Sequence, residues 1–387
     1  MLSLLPLVLL AINGAIAAPS DNQGFDAQTI AKVRDNMLNI STHSWELGAA
    51  AQALIELEVP SLSVFSGNRL PPTKSQNPSV RRAATDVFDL ATRIVRARPP
   101  GSPVLIDGDG AAGDPASLGV AVALTGWTRT NRSDLSFDEA AGLQLDHILN
   151  HVPRAQNGAI SHRESQVQLW ADFTYMVPPF IAYEGVLQTG GDKTWLLREA
   201  YNQCKWYREI LGDESGLWKH IVLGTGLLDP THWGTGNAWA AAGMLRVLQT
   251  ITHSDVSWQF TEERRNLTGW VEEILTSTWP HQGNNGTLFN VIDDPTTFAD
   301  TSSTALLAAS TYRLASITNN HTLIPFADRA LQLIKDSVDG NGWLHNTVDP
   351  LTFFAPSPPG TFSPEGQTFT ILLHTAREDY VRGLHRK

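Results

Sequence analysis

Residues 157–162 read Asn-Gly-Ala-Ile-Ser-His, and this order of a glycine, a short apolar stretch and then His or Asn occurs three more times. The later copies start at residues 215, 285 and 341 and read Ser-Gly-Leu-Trp-Lys-His, Asn-Gly-Thr-Leu-Phe-Asn and Asn-Gly-Trp-Leu-His. Their glycines, at positions 158, 216, 286 and 342, are separated by 58, 70 and 56 residues, close to one helical hairpin each. Repetition on this scale predicts stacked helical units that share a core and present equivalent loops on one face.

The segments between these loops carry apolar residues at helical spacing, and signals for strands are few and short. Twelve segments pair into six hairpins, near residues 26–41, 45–58, 80–98, 116–129, 136–152, 170–189, 192–212, 236–254, 260–279, 301–318, 324–339 and 363–382. An open solenoid and a closed double ring both fit this pattern. Because polar capping helices are missing at both ends, we predict closure: an all-α, (α/α)6 toroid of six helical hairpins with short extended segments in the loops.

The first residues form an uncharged apolar run that ends in a small-x-small pattern near Ala17. This pattern predicts a signal peptide over residues 1–17, followed by a single domain over residues 18–387. The lone cysteine, Cys204, allows no intrachain disulfide, so the folded protein must rely on its apolar core. Asn-x-Ser/Thr sequons agree with a secreted glycoprotein, and they lie at Asn39, Asn131, Asn266, Asn285 and Asn320.

The charge pattern limits the classes of partner. The chain has a formal net charge of −11 and no Lys/Arg-rich run, which disfavours nucleic acid. No later apolar run is long enough to cross a bilayer. We therefore expect neither a nucleic-acid nor a membrane partner. We also expect the protein to be a monomer. An anionic ligand would need local positive or hydrogen-bonding groups against this acidic background.

One carboxylate, Asp172, lies inside the apolar and aromatic run 168–180, next to Trp170. Burial disfavours the charged form of a carboxyl group and raises its pKa, which is the condition that a general acid needs near neutral pH. A helix N-cap or a buried, hydrogen-bonded aspartate is the alternative interpretation of this residue.

A second acidic segment reads Asp-Gly-Asp-Gly from Asp107. It superficially resembles a calcium loop but lacks the further oxygen ligands and the terminal glutamate, so we expect no metal. As a glycine-rich loop leading into a helix at Pro115, with Asp114 as the N-cap, it leaves Asp107 or Asp109 free to face a pocket. A carboxylate opposite Asp172 would fit two-carboxylate glycoside chemistry.

Aromatic and polar residues that suit a sugar ring lie in or beside the repeated loops. Trp233 and Trp239 flank Asn237, which offers flat apolar faces for stacking and an amide for hydroxyl groups, although both tryptophans also suit core packing. His162 and His220 close two of the loops and are candidates for hydrogen bonding in a pocket, with an ordinary satisfied histidine as the alternative. No Ser-His-Asp spacing, phosphate-binding loop or zinc pattern occurs, and no cofactor is expected.

These motifs together resemble a known group. Trp170-Ala171-Asp172 with Met176 and Pro178 is similar to a segment of the six-hairpin glycosidases, closest to the unsaturated rhamnogalacturonyl hydrolases (glycoside hydrolase family 105), to which the unsaturated glucuronyl hydrolases (family 88) are related. Segments 216–220, 233–239 and 363–367 resemble that group's later motifs in the same order, so the likeness covers roughly residues 100–380.

The resemblance implies a reaction and a set of site residues. Asp172 would be the catalytic acid/base: its acid form protonates C4 of a 4,5-unsaturated uronic acid, water adds at C5, and the hemiketal collapses with release of the next sugar. The family's second aspartate precedes a helix in the preceding hairpin, for which Asp109 is the first choice and Asp107 the second. The residues that would bind the sugar are Asp107, His162, Trp170, His220, Trp233, Asn237 and Trp239.

The predicted function is therefore removal of unsaturated uronic acid from lyase-generated oligosaccharides of the pectin or rhamnogalacturonan type, by a secreted enzyme. Two departures affect the substrate more than the fold: Thr235 stands where the group usually has arginine, and the acidic loop is longer and richer in glycine. The alternatives are hydrolysis of ordinary saturated glycosides by Asp172 with Asp109, and a non-catalytic carbohydrate-binding toroid.

Overall fold

The computed structural model describes residues 24–131 and 133–385, and the predicted signal peptide lies outside them. The described chain forms helices α1 Ala27–Ile40, α2 Ser44–Glu58, α3 Pro78–Ala83, α4 Thr85–Ala97, α5 Gly113–Ala116, α6 Gly119–Thr128, α7 Ser136–Asn150, α8 Phe173–Met176, α9 Pro178–Leu187, α10 Gly190–Leu211, α11 Gly234–His253, α12 Thr261–Thr278, α13 Thr301–Thr318, α14 Ile324–Ser337 and α15 Pro364–Leu384. Four two-residue strands lie in the loops: β1 Leu169–Trp170, β2 Ile221–Val222, β3 Leu288–Phe289 and β4 Ala299–Asp300.

Six of these helices form a closed inner ring. Going round the ring, α2 contacts α6, then α9, α11, α13 and α15 follow, and α15 returns to α2. Nearly every residue of α11 and α13 is buried, as expected for helices enclosed on all sides. The outer helices α1, α4, α7, α10, α12 and α14 cover the ring, and α4 and α14 bury only one stripe each. The predicted (α/α)6 toroid is therefore confirmed, and the open solenoid is excluded.

Two inner helices of the ring are each preceded by a separate short helix. The predicted helix 116–129 corresponds to α6, with α5 just before it, whereas the predicted helix 170–189 is divided into α8 and α9. The break before α9 falls at Pro178, which has no N–H to donate and restricts the residue before it. The short helices α5 and α8 therefore precede the ring helices as separate elements, and Asp114 in α5 and Met176 in α8 line the mouth of the ring.

The repeated loops hold the ring together through their glycines. Gly158, Gly216, Gly286 and Gly342 have φ values of 102°, 83°, 96° and 84°, a left-handed conformation that side chains disfavour. A Cβ at each would meet the next outer helix. The groups met are the Trp206 ring in α10, Ser277 Oγ in α12 at 2.2 Å, the Arg329 carbonyl in α14 at 2.5 Å and Lys32 Cβ in α1 at 2.5 Å. The last of these contacts joins the final hairpin to the first and closes the circle.

The strands have a local function. β1 pairs antiparallel with β2, with Trp170 opposite Ile221, and β3 pairs antiparallel with β4. The first pair ties the segment before Asp172 to the loop that carries His220. The expected short extended segments are therefore present and lie beside the mouth of the ring. No helix among the described residues is long and apolar enough to cross a membrane.

Replacing Gly342 by alanine is expected to lower the free energy of unfolding by about 2–4 kcal/mol, because it combines a left-handed backbone with an overpacked contact on α1. Urea denaturation measures the change. Gly340→Ala is the matched control, since a Cβ there meets nothing within 4 Å and its φ is ordinary. Equal stability of the two variants would contradict the closing role of the Gly342 loop.

Candidate active site

A cavity of about 290 Å³ opens where the inner helices begin. Five of the six inner segments contribute a polar or aromatic side chain to it from their first residues or the residues just before them. These side chains are His43 and Trp45 at α2, Asp114 in α5, Asp172 before α8, Trp233 before α11 and Glu365 in α15. The closed ring thus brings together residues that are far apart in sequence.

Asp172 occupies the N-cap position of α8 but does not cap it. Its side chain makes no hydrogen bond to the helix. The side chain is 15% exposed and forms part of the cavity wall, where its Oδ2 atom lies 3.4 Å from Nε2 of His220. The N-cap interpretation therefore does not explain this carboxylate. It faces the cavity, as a catalytic role would require.

His220 lies between two carboxylates. Its Nδ1 is 2.9 Å from Oδ2 of Asp229, a residue that the sequence did not single out. Asp229 in turn accepts hydrogen bonds from the amide and hydroxyl of Thr231, which fix its orientation. Burial lowers the pKa of His220, but the bonds and charges of Asp172 and Asp229 raise it by more, and the net pKa is raised.

The electrostatics of Asp172 differ from expectation. Burial raises the pKa of its carboxyl, but the His220 imidazole beside it lowers the pKa by more. The net pKa lies below the ordinary value, so the expectation of a raised pKa at this residue is wrong. Asp172 is ionised at neutral pH, beside a histidine that is held as its partner.

The second carboxyl of the cavity is Asp114. It is buried, its Oδ1 lies 3.6 Å from Nε2 of His162, and burial together with the charge of Asp172 raises its pKa to about 8. The expectation that Asp114 caps a helix starting at Pro115 is wrong, because the helix starts two residues earlier and the cap position is Ala112. This shift turns Asp114 inwards.

The two aspartates predicted for that position lie in the loop before it. Asp109 is at the rim of the cavity, with 79% of its side chain exposed and Oδ2 3.8 Å from Nδ1 of His43. Asp107 is exposed and does not line the cavity, and its carboxylate accepts a hydrogen bond from the backbone N–H of Asp109. The positive φ values of Asp109 and Gly110 fold this loop back at the rim and keep both carboxylates away from the interior.

The predicted aromatic and histidine residues gather around Asp172. The His162 ring stacks on Trp170 with centroids 4.9 Å apart, and His220 lies 4.2 Å from Trp233 and 5.5 Å from Trp170. Burial lowers the pKa of His162 to about 4, so this ring is neutral and can accept or donate a hydrogen bond. Together these rings form the apolar wall of the cavity.

Asn237 and Trp239 are not part of that wall, which corrects their predicted role in sugar binding. Asn237 is fully buried. Its Oδ1 accepts a hydrogen bond from the backbone N–H of Trp218 at 2.8 Å, and its Nδ2 donates hydrogen bonds to the backbone carbonyls of Trp218 and Trp233. Gln203 and Gln367 hold two other repeated loops in the same way. Trp239 packs between Tyr175 and Phe369 in the core.

Glu365 is a cavity residue that the sequence interpretation assigned only to a helix start. Ser363 does cap that helix, through the amide of Gly366 at 3.1 Å. The Glu365 side chain is buried, and its Oε1 accepts the indole N–H of Trp45 at 2.9 Å. Burial and the charge of Asp172 raise its pKa well above the ordinary value, which makes it a neutral donor at the cavity floor. Its place in the motif at 363–367 was the available signal.

Thr235 does not face the cavity. Its side chain is buried, and the hydroxyl lies 3.4 Å from Oδ2 of Asp300, the residue that caps α13. Arg163 lines the cavity and donates to the carbonyl of Asp109 at 3.1 Å. Across residues 24–131 and 133–385, no group of three or more His, Cys, Asp or Glu side chains is arranged to hold a metal ion.

Comparison with curated proteins gives a distant relative. This chain is 22% identical in sequence, over 213 residues, to the unsaturated rhamnogalacturonyl hydrolase YesR of Bacillus subtilis strain 168. The match covers 53% of this chain and spans 58% of the relative's length.

Two solved structures show the same fold at low identity. The crystal structure of a possible member of glycoside hydrolase family 105 from Klebsiella pneumoniae superposes with a TM-score of 0.73 at 16% identity, covering 97% of this chain and 99% of the other. The unsaturated glucuronyl hydrolase of Bacillus sp. GL1, described as responsible for degrading glycosaminoglycan, gives 0.60 at 13% identity, covering 89% and 94%.

The model of Glycosyl Hydrolase Family 88 matches residues 118–378, which is more than half of the chain and contains Asp172, His220 and Glu365. Asp114 lies four residues before the start of this match. The resemblance seen in the sequence motifs is confirmed, and the chain belongs to glycosyl hydrolase family 88.

Proposed function

We propose that this protein is a glycoside hydrolase that removes a 4,5-unsaturated uronic acid from oligosaccharides by hydrating its C4=C5 double bond. The observation that carries the proposal is a pair of carboxyl groups, Asp114 and Asp172, that face one cavity of sugar size and have opposite pKa shifts. Membership of family 88 and the name of the Bacillus subtilis relative, an unsaturated rhamnogalacturonyl hydrolase, support the same reaction.

The pair holds one proton at neutral pH. The negative charge of Asp172 makes ionisation of Asp114 unfavourable, so the resting proton lies on Asp114 while Asp172 stays ionised beside His220. Two carboxyls that interact this strongly titrate as a unit. The unit contains both an acid and a base, which is what hydration of a vinyl ether requires.

The reaction balances within the pair. Its proton is added to C4, the double-bond electrons form the new C–H bond, and the positive charge that develops at C5 is shared with the ring oxygen. A water molecule bonds to C5 and gives one proton back to the pair. The bond between C5 and the ring oxygen of the hemiketal then breaks, which leaves a ketone at C5 and a hemiacetal at C1. The hemiacetal collapses to an aldehyde, and the next sugar leaves as its alcohol with the hemiacetal proton. Asp172, held by His220, is the better-placed base, because its carboxylate is ionised and fixed in position.

Because the protein is acidic overall, binding of an anionic sugar requires positive charge close to the binding site. The N-termini of the inner helices point at the cavity, and each carries a partial positive charge from its free N–H groups. Arg163 adds a full charge at the rim, where it is the one Lys or Arg of the described chain that lines the cavity. These groups together favour a uronate carboxylate over a neutral sugar.

The rim of the cavity indicates the class of the leaving sugar. Leu227 and Leu351 line it and are 50% and 62% exposed, and Phe353 also lines the cavity, with its ring centroid 5.8 Å from that of Trp233. Such a surface suits a sugar with a methyl group, as in 6-deoxyhexoses such as rhamnose, and it offers the sulfate of a sulfated hexosamine no lysine or arginine of the described chain besides Arg163. We therefore favour substrates of the rhamnogalacturonan type.

Lyase-generated disaccharides test the reaction directly. Hydration destroys the ultraviolet absorbance of the conjugated double bond, so the wild-type protein should remove that absorbance, faster for a rhamnose than for a sulfated hexosamine leaving group. Release of sugar without loss of absorbance would instead support acid/base hydrolysis of saturated glycosides by the same two carboxyls. Binding without turnover of any glycoside would support a non-catalytic toroid.

Variants of the pair sharpen this test. Asp172→Asn and Asp114→Asn should each lower kcat by about 10²–10⁴-fold, the usual loss when a general acid or base is removed. Asp109→Asn is the matched control from the rim, and it should lose far less because its carboxylate faces solvent. If Asp109→Asn lowers kcat as much as Asp114→Asn does, the second catalytic carboxyl would be Asp109 in the loop and not Asp114.

The shared proton predicts a pH dependence of stability. Because the folded pKa of Asp114 is about 8 and its ordinary value is 3.8, the folded protein keeps a proton that the unfolded chain releases across this window. Its contribution to stability is present at low pH and is lost as pH rises towards 8, by up to about 1.4 kcal/mol per pH unit.

Asp114→Asn removes this contribution. Urea denaturation at pH 5 and pH 8 should show the variant gaining stability relative to wild type at the higher pH, by more than about 1 kcal/mol. A difference in unfolding free energy that is the same at both pH values would contradict the assignment of the proton to Asp114.

We also propose that the protein is secreted and glycosylated. Four sequon asparagines, at positions 39, 131, 285 and 320, are exposed, whereas Asn266 is half-buried and its Nδ2 donates to the hydroxyl of Tyr201 at 2.9 Å. Expression of the full chain in a eukaryotic host should give a secreted product that starts near Ala18, with glycans on exposed sites and none on Asn266. Retention inside the cell, or a glycan on Asn266, would contradict this.

A further inference from the structure

A small second cavity lies inside the ring, beyond the short helix that carries Asp172 to the mouth. Its volume is about 20 Å³. That space holds one small ion or one water molecule, and it is too small for a sugar. It is therefore separate from the cavity that contains Asp114 and Asp172, and the two share no lining residue.

Five polar side chains line this inner cavity, and three of them, from three different helices, are not paired with a charged neighbour among the described residues. Tyr175 comes from α8, Arg246 from α11 and Ser310 from α13, and they are 1%, 4% and 2% exposed. Neither hydroxyl has a hydrogen-bond acceptor within the part of the chain that the structure describes. Leaving a buried hydroxyl without a partner costs about 1–3 kcal/mol, so two at one cavity indicate a bound species that accepts their hydrogens.

The charge of Arg246 indicates the sign of that species. Its guanidinium donates to the Tyr175 carbonyl at 3.2 Å and lies 4.6 Å from the centroid of the Tyr175 ring. No carboxylate of the described residues forms an ion pair with it. A buried guanidinium without a counter-ion is costly, and a bound anion removes that cost.

The neighbouring charges are already paired with one another. Glu56 also lines the cavity, but its Oε2 accepts from Arg313 at 2.7 Å and from Thr375 at 3.2 Å, and its Oε1 accepts from Gln52 at 2.8 Å. Arg313 is bonded in addition to Asp379, on the side away from the cavity. The positive charge left facing the cavity is that of Arg246.

An ion can reach this place from the end of the ring opposite the active site. Phe65 and Arg313 line both the inner cavity and a wider hollow of about 560 Å³, whose other walls include the exposed Asn68 and Arg382. The Arg313 guanidinium lies 4.4 Å from the Phe65 ring centroid. These two side chains therefore separate the inner cavity from the open hollow.

We infer that the inner cavity binds one chloride-sized monovalent anion, held by the Arg246 guanidinium and the hydroxyls of Tyr175 and Ser310. Such an ion accepts hydrogen bonds only, matches the three donors and fits the space. It joins α8 to α11 and α13, and so it stabilises the ring directly beneath the segment that presents Asp172.

Crystals grown in sodium bromide test the inference, because bromide gives an anomalous signal that water does not. An anomalous peak within hydrogen-bonding distance of the three donors is expected. In solution, chloride or bromide should raise the Tm of the full chain by about 1–3 °C relative to gluconate at equal ionic strength, because binding stabilises only the folded state.

The variants Arg246→Gln and Ser310→Ala should lose most of this halide-specific rise. Ser316→Ala is the matched control on the same helix, since its hydroxyl bonds to the Tyr312 carbonyl outside the inner cavity, and it should keep the rise. If Arg246→Gln does not fold, Ser310→Ala decides the question. Density without an anomalous peak, or halide and gluconate curves that coincide for the wild type, would assign the cavity to water and overturn the inference.

Discussion

The contact on which the molecule most depends is the packing of each repeated loop against the next outer helix. A left-handed glycine brings the loop backbone so close to that helix that even a methyl group would collide with it. At Gly342 the next helix is α1, the first of the chain, so the same local device that stacks neighbouring hairpins also closes the ring. Closure then fixes where every inner helix begins, and with it the walls of the cavity.

The active-site chemistry follows from this convergence. Carboxyls that start on different hairpins meet in one low-dielectric space, where they cannot all be ionised. Asp172 keeps its charge because His220, held in turn by Asp229, stands beside it. Asp114 and Glu365 hold protons because they are buried and because Asp172 is charged. Which carboxyl holds a proton is thus a property of the group of residues, and it depends on which carboxyl has His220 as its partner.

The inner cavity shows a different solution to the same problem of buried polar groups. At the mouth, unmatched groups face a space that a substrate fills. Deeper in the ring, Arg246, Tyr175 and Ser310 face a space that only an ion or a water molecule fills. The short helix α8 lies between the two, and its separation from α9 at Pro178 allows it to present Asp172 on one side and Tyr175 on the other.

The twelve helical segments, their pairing, the equivalent loops and the family motifs could all be predicted from the sequence, because helical spacing and glycine repeats are local properties. The sequence also located Asp172, His162, His220, Trp170 and Trp233, which the structure gathers in one cavity. The sequence could not show that Asp114, rather than Asp109 or Asp107, enters the interior, since this depends on a helix start that lies two residues earlier than predicted. The tertiary structure also assigned Asn237 and Trp239 to the scaffold, added Asp229 and Glu365, and reversed the expected pKa shift of Asp172. A pKa depends on neighbours within a few ångströms, and neighbours such as His220 and Asp114 become neighbours of Asp172 only when the ring has closed.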